Sequence, residues 1–225
     1  MASSEHFFSN FNESDYESYK VEYVGEKIEC KRCFCFVSKG TCAINESITK
    51  NINPVAYINA LKYIIKNPNE EEPNLKYLST TRNKIYIINE NCYISFYSKD
   101  GCTHEIVNKF FEMIDAQEII LLGSSGVNKI KDYNDKLPAI IEYSSGSNEN
   151  TFKYPNKLIG IQAGIITYCD IKCIKYTYYH LIDKTKEFSA ESFNLILDLL
   201  RTYINLSENE AENSFRIYSN SKISI

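Results

Sequence analysis

Long apolar runs are missing from this chain, and a helix needs about 20 such residues to cross a bilayer. The opening residues, MASSEHFFSNFNESDYESY, lack both the basic start and the apolar stretch of a secretory leader. A cytosolic or nuclear protein is therefore expected. Basic clusters are missing too. With a formal net charge of -4, a pI near 5.5 and dispersed lysines, the chain has no electrostatic footprint for nucleic acid. Tryptophan is absent, and only 8 glycines and 5 prolines stand against abundant Asn, Lys, Ile and Tyr. That bias resembles an AT-rich coding sequence more than a physical demand, so individual tyrosines carry little weight. No internal repeat is present.

What is there suffices for one core. At 44% hydrophobic over 225 residues, the chain can bury a full core in a single domain. Residues 1–25, polar and acidic with scattered aromatics, are expected to form a flexible arm, residues 26–206 an α/β domain, and residues 207–225 a tail. Within the domain, Cys30 to Val37 reads as a strand ending near Ser38-Lys39-Gly40. Asn53 and Pro54 supply an N-cap and N1 start for a helix reaching about Ile65. Asn67 to Asn74, with two prolines and three glutamates, reads as an exposed loop. Leu75 to Leu78, Lys84 to Ile88 and Cys92 to Tyr97 read as short strands, two of them paired as a hairpin. Thr103 to about Ile114 reads as a helix with Ile106, Val107, Phe110, Phe111 and Ile114 on its apolar side. A short connection leads into the strand Glu118 to Leu122. Lys129 to Lys136 is charged and exposed, Pro138 to Tyr143 is a further strand, and Ser144 to Asn156 is a loop.

The clearest signals lie between Lys157 and Leu200. Leu158 to Ile171 has a helical pattern whose small residues Gly160, Ala163 and Gly164 fall on one side. Gly in a helix interior costs roughly 1 kcal/mol relative to Ala, so this stripe predicts close approach to the sheet or to a partner's helix. Ile174 to Leu181 is rich in β-branched and aromatic residues and reads as a strand. Ser189 then stands at an N-cap, Glu191 favours the helix dipole, and Phe188 with Phe193 forms a hydrophobic staple. Phe193, Ile196, Leu197, Leu200 and Ile204 complete an apolar helical stripe. Helix, strand, helix is an α/β signature. The expected fold is a single-domain, doubly wound α/β sheet flanked by helices.

Residues able to carry chemistry are scattered. Cys30, Cys33, Cys35 and Cys42 crowd one region, and a C-x-x-C can hold zinc, but the second pair would have to be Cys169 and Cys173 on a helix. Cys33 and Cys35 read better as small buried residues alternating along a strand. Disulfides do not suit a reducing compartment. The Gly123-Ser124-Ser125-Gly126 turn follows an apolar strand, where α/β sheets bind ligands. It lacks the Lys-Ser/Thr ending of a phosphate loop, and Gly126 directly follows Ser125 where a nucleophile elbow needs one residue between. Cys169, His180 and Asp183 can be written as a Cys-His-Asp trio, but no spacing brings nucleophile and base within reach. No catalytic set, metal set or cofactor motif emerges, and the residues favour a binding protein. The alternative is a small hydrolase or phosphorylase-type enzyme working at the Gly123–Gly126 loop.

Several runs resemble proteasome assembly chaperone 1. They are Ala163-Gly164-Ile165-Ile166-Thr167-Tyr168-Cys169, the strand Tyr176 to Leu181 with Tyr178-Tyr179, and Phe188-Ser189-Ala190-Glu191-Ser192-Phe193. Upstream, Asn91-Cys92-Tyr93-Ile94, Phe110-Phe111, Ile119 to Leu122 and Lys131-Asp132-Tyr133 extend the resemblance over roughly Cys30 to Leu200. It implies a non-enzymatic chaperone that pairs with a proteasome assembly chaperone 2 homologue and binds proteasome α-subunits during α-ring assembly. That family ends in a hydrophobic-Tyr-any tripeptide docking between α-subunits through its carboxylate, a charge-assisted contact. Here Ile217-Tyr218-Ser219 fits the tripeptide but six residues follow it, and Ile223-Ser224-Ile225 has no tyrosine. Ile217, Tyr218, Ser219, Ile223 and Ile225 are the candidate partner-binding residues.

Overall fold

A computed structural model describes residues 16–66, 74–97, 101–126, 136–146, 158–184 and 189–205. These residues form one eight-stranded mixed sheet with two helices on each face. In chain order the elements are β1 (Tyr16–Val24), β2 (Ile28–Phe36), α1 (Lys39–Ile48), β3 (Ala56–Lys66), β4 (Asn74–Ile88), β5 (Asn91–Ser95), α2 (Thr103–Met113), β6 (Ile114–Gly126), β7 (Ala139–Ser144), α3 (Gly160–Lys172), β8 (Lys175–Asp183) and α4 (Ala190–Arg201). The strand order is β1-β3-β4-β5-β2-β6-β8-β7. The central four, β5, β2, β6 and β8, run parallel, while β4, β3 and β1 on one side and β7 on the other are antiparallel. The doubly wound α/β expectation is met.

Parallel strands covered on both faces read as continuous apolar runs, and β2 does so over Cys33–Phe36 and β6 over Ile119–Leu122. Cys33 and Cys35 of β2 and Ile119 and Leu121 of β6 face a core closed by Ile106, Val107 and Phe110 of α2 and by Ile161, Ile165 and Cys169 of α3. Phe34, Phe36, Ile120 and Leu122, one residue out of phase, face a second core closed by α1 and by Phe193, Ile196, Leu197 and Leu200 of α4. Each fully buried Leu, Ile or Phe contributes roughly 1.5–3 kcal/mol through area removed from water. Seven of the eight cysteines are buried and none is bridged. Among the described residues no three of His, Cys, Asp and Glu converge on a metal position.

Three sequence expectations are corrected. Residues 56–66 are not a helix: Ala56, Ile58 and Ala60 are buried at period two and pair with β4. The Asn53-Pro54 start signal precedes a strand whose side chains also happen to match helical spacing. Residues 16–24, assigned by composition to the flexible arm, form edge strand β1, with Tyr19, Val21 and Tyr23 packed on the α2/α3 core. The segments Leu75 to Leu78 and Lys84 to Ile88 belong to one long strand, β4, which does pair with β5. Helix α1 is an element that the apolar pattern of the sequence does not announce. Its start is a capping box in which Ser38 Oγ accepts from Thr41 N and Thr41 Oγ1 accepts from Ser38 N. The expected loop at Asn67 to Asn74 falls almost wholly outside the described residues, as do residues 127–135, Phe188 and residues 206–225.

Helix α3 shows what the small-residue stripe does. A Cβ placed on Gly164 would lie 2.9 Å from Val107 Cγ2, so Gly164 lets α3 close onto α2. Phe111 and Tyr168 stack beside that contact at 4.1 Å between centroids. Gly160 takes no part: nothing lies within 4 Å of its would-be Cβ, and its φ of +68° shows that it serves the entry turn. Gly164→Val is therefore expected to destabilise the fold by about 2 kcal/mol through overpacking. Adding Val107→Ala should restore much of the loss, giving a coupling above about 0.5 kcal/mol in urea-unfolding measurements. Strictly additive effects would show that the helices do not meet there.

Candidate functional site

The carboxyl ends of β2, β6 and β8 lie side by side, the place where open α/β sheets present ligand-binding groups. Alternation decides which polar side chain goes where. On β6, Ser125 continues the row of Ile119 and Leu121 toward the α2/α3 face, and Ser124 continues the row of Ile120 and Leu122 toward the α1/α4 face. On β8, Tyr176, Tyr178 and His180 share the first face, and Tyr179, Leu181 and Asp183 the second. Residues 123–126 are thus not a turn. They extend β6, paired in parallel with His180 to Asp183.

On the α2/α3 face a hydrogen-bonded chain forms. Ser125 Oγ lies 2.8 Å from His180 Nε2, and His180 Nδ1 lies 2.5 Å from the Tyr178 hydroxyl. Gly123 makes room for it, since a Cβ there would sit 2.7 Å from that hydroxyl. Burial lowers the His180 pKa to about 4, so the ring is neutral at physiological pH. Burial also raises the Tyr178 pKa, which keeps the phenol protonated.

On the α1/α4 face the polar groups serve helix starts. Ser38 Oγ, the α1 cap, is 2.8 Å from Ser124 Oγ, and Thr41 Oγ1 is 3.1 Å from Leu122 O. Asp183 receives Ser189 N at 2.9 Å, Lys184 N at 2.6 Å and the Ser192 hydroxyl at 2.5 Å. Burial alone would raise this carboxyl's pKa. The donors from Ser192, Ser189 and Lys184 outweigh it and hold the group below the usual carboxylate range. Ser189 caps α4 as its position in the sequence predicts, accepting from Ser192 N.

The Cys-His-Asp trio is not assembled. Cys169 sits in the α2/α3 core, His180 is engaged by Ser125 and Tyr178, and Asp183 points to the opposite face. The serine-histidine contact that does exist has the geometry of a nucleophile and its base. A neutral tyrosine stands where a carboxylate would stabilise an imidazolium, and the ring's basicity is depressed. The clefts beside α1, α4 and α3 are lined by residues other than 123–126. Sequence spacing could not reveal the Ser125–His180 pair, because 55 residues separate them and only the β6–β8 register joins them. The candidate partner residues Ile217, Tyr218, Ser219, Ile223 and Ile225 lie outside the described residues.

No family model and no curated protein sequence matches the chain. Its fold is shared with solved structures. Pyrococcus furiosus PbaA, an archaeal homolog of proteasome-assembly chaperone, superposes with a TM-score of 0.60 at 15% identity, over 89% of this chain and 94% of that one. A protein with unknown function from Thermoplasma acidophilum gives 0.59 at 12% identity, over 85% and 84% of the two chains. Pyrococcus furiosus PbaB, an archaeal proteasome activator, gives 0.56 at 10% identity, over 92% and 96%. At these identities the likeness is one of fold.

A buried imidazole that stays neutral makes stability depend on pH. The unfolded chain takes up a proton on His180 below about pH 6.5, whereas the folded one does so only near pH 4. Stability is therefore retained above about pH 6.5 and declines by about 3 kcal/mol as the pH falls toward 4. Replacing the ring by His180→Gln should remove that part of the acid sensitivity, read as the difference in urea midpoints between pH 7 and pH 4.5. An equal loss in both proteins would contradict a neutral buried ring.

Proposed function

We propose that the chain is a proteasome assembly chaperone, acting as a heterodimer with a proteasome assembly chaperone 2 homologue. In this reading it binds proteasome α-subunits and promotes α-ring assembly, in the cytoplasm and also in the nucleus. It is not an enzyme. The observation that carries the proposal is the superposition on PbaA over nearly the full length of both chains. The sequence resemblance to proteasome assembly chaperone 1, spread over Cys30 to Leu200, points the same way. Fold alone does not assign function, and the carboxyl end of the sheet adds its own weight. Its described polar groups are spent on caps and internal hydrogen bonds. The tail residues Ile217, Tyr218, Ser219, Ile223 and Ile225 are proposed to contribute to the α-subunit contact.

The test is affinity purification of the tagged chain from its native cell, followed by mass spectrometry. Recovery with α-subunits and a homologous partner chain is expected, and recovery without either would count against the proposal. The second reading is a serine hydrolase at Ser125, favoured by the 2.8 Å contact to His180. A fluorophosphonate probe should leave this chain unlabelled. Labelling of the wild type that the Ser125→Ala variant loses would support the hydrolase instead.

A further inference from the structure

The chain is acidic overall, yet one cleft in it is basic. A cavity of about 280 Å³ opens between α1 and β4, at the carboxyl end of β5, and its wall carries Lys50, Arg82 and Lys84 against the single acid Glu46. The Glu46 carboxylate already takes the Tyr97 hydroxyl. None of the three cations makes an ion pair among the described residues. Asn45, 1% exposed, also lines this cleft. Its Nδ2 donates to Ser95 Oγ at 2.9 Å, while its Oδ1 has no hydrogen-bond partner. That oxygen is closed to solvent, so what the cleft itself lacks is negative charge. An acidic peptide offers it.

The neighbouring cleft indicates where that peptide comes from. A cavity of about 400 Å³ adjoins the first through the shared residue Ile52. Its wall includes Ile48, Ile88 and Ile204, and it ends at Asn205, where the described chain leaves α4. The next residues are Leu206-Ser207-Glu208-Asn209-Glu210-Ala211-Glu212. One apolar residue followed by three acids matches, in order, the isoleucines Ile48, Ile52, Ile88 and Ile204 of the second cleft, set among Asn89, Asn91 and Arg201, followed by the three cations of the first. At roughly 3.4 Å per extended residue, Glu208 reaches about 10 Å beyond Asn205 and Glu212 about 24 Å.

We propose that the chain's own segment Leu206–Glu212 docks along these two clefts. Leu206 meets Ile48 and Ile52, and the glutamates meet Lys50, Arg82 and Lys84. The proposal stands independently of the chaperone reading. It is tested on the full chain with a water-soluble carbodiimide, which joins carboxylates to amines in contact. Mass spectrometry should find Lys50 or Lys84 linked to Glu208, Glu210 or Glu212 within one chain. These links should fade near 1 M salt, where the screening length falls to about 3 Å. Replacing the acids together (Glu208→Gln, Glu210→Gln, Glu212→Gln) should raise acetylation of Lys50 and Lys84 several-fold while leaving Lys109 and Lys172 unchanged. Unchanged acetylation overturns the proposal, as do links formed only between isotopically distinguished copies.

Discussion

The structure depends on burying β2 and β6 on both faces at once. A strand's side chains alternate, so these two strands must supply two apolar rows, and Cys33, Cys35, Ile119 and Leu121 against Phe34, Phe36, Ile120 and Leu122 do so. A slip of one residue would exchange the rows and seat Phe34 and Phe36 where thiols now fit against α2 and α3. Charge reinforces the register. Glu118 on β6 meets Arg32 of β2 at 3.0 Å and Lys175 of β8 at 2.7 Å, aligning three adjacent parallel strands. Burial acts to raise the Glu118 pKa, and the Lys175 and Arg32 hydrogen bonds more than offset it.

The same alternation, carried beyond the apolar stretch, organises the sheet's carboxyl end. Ser125 and His180 follow the rows of one face, and Ser124 and Asp183 follow those of the other. One pair is therefore available for a hydrogen-bonded chain with Tyr178, and the other for the N-termini of α1 and α4. Polar groups this deep are costly unless matched. Ser38, Thr41, Ser189 and Ser192 are short enough to match them without crowding. Neutral His180 and ionised Asp183 lie three residues apart in sequence, and the difference in their charge state follows from their partners. His180 has a serine and a phenol, whereas Asp183 has two backbone N–H groups and a hydroxyl.

What the sequence made legible followed from local physics. Helix α4 carries Ser189, Glu191 and a stripe from Phe193 to Leu200, and it lies where those signals place it. Helix α2 and strands β2, β7 and β8 were equally readable. Helix α1 was hidden because its buried face includes Thr41 and Asn45, which blunts the apolar period. Strand β3 was misread because a local start signal at Asn53-Pro54 competed with pairing to β1 and β4, which sequence distance conceals. Strand β1 was lost in acidic composition: Lys20 and Glu22 on its outer side obscure Tyr19, Val21 and Tyr23 on its inner side. The Ser125–His180 contact belongs to the same class. It follows from register between strands, and no spacing within either strand encodes it.

The two functional readings make opposite demands on these polar groups. An enzyme needs some of them unsatisfied and aimed at substrate, with a base whose pKa lies near the working pH. At the ends of β6 and β8 the named groups are partnered within the fold, and the one imidazole is held far from that range. A binding scaffold needs a rigid sheet and chemical contrast on its surface. Helices α1 and α4 lie over β5, β2, β6 and β8, so the outer face of the antiparallel strands keeps Val24, Arg82 and Lys84 exposed. Exposed Val55 lies beside it, at the start of β3. Arg82 stacks over Tyr57 at 5.1 Å, which orders a cation on a chain of net negative charge. Recognition on this protein is therefore better sought along that antiparallel wing than at the carboxyl ends of β6 and β8, whose polar groups are already committed to holding the fold.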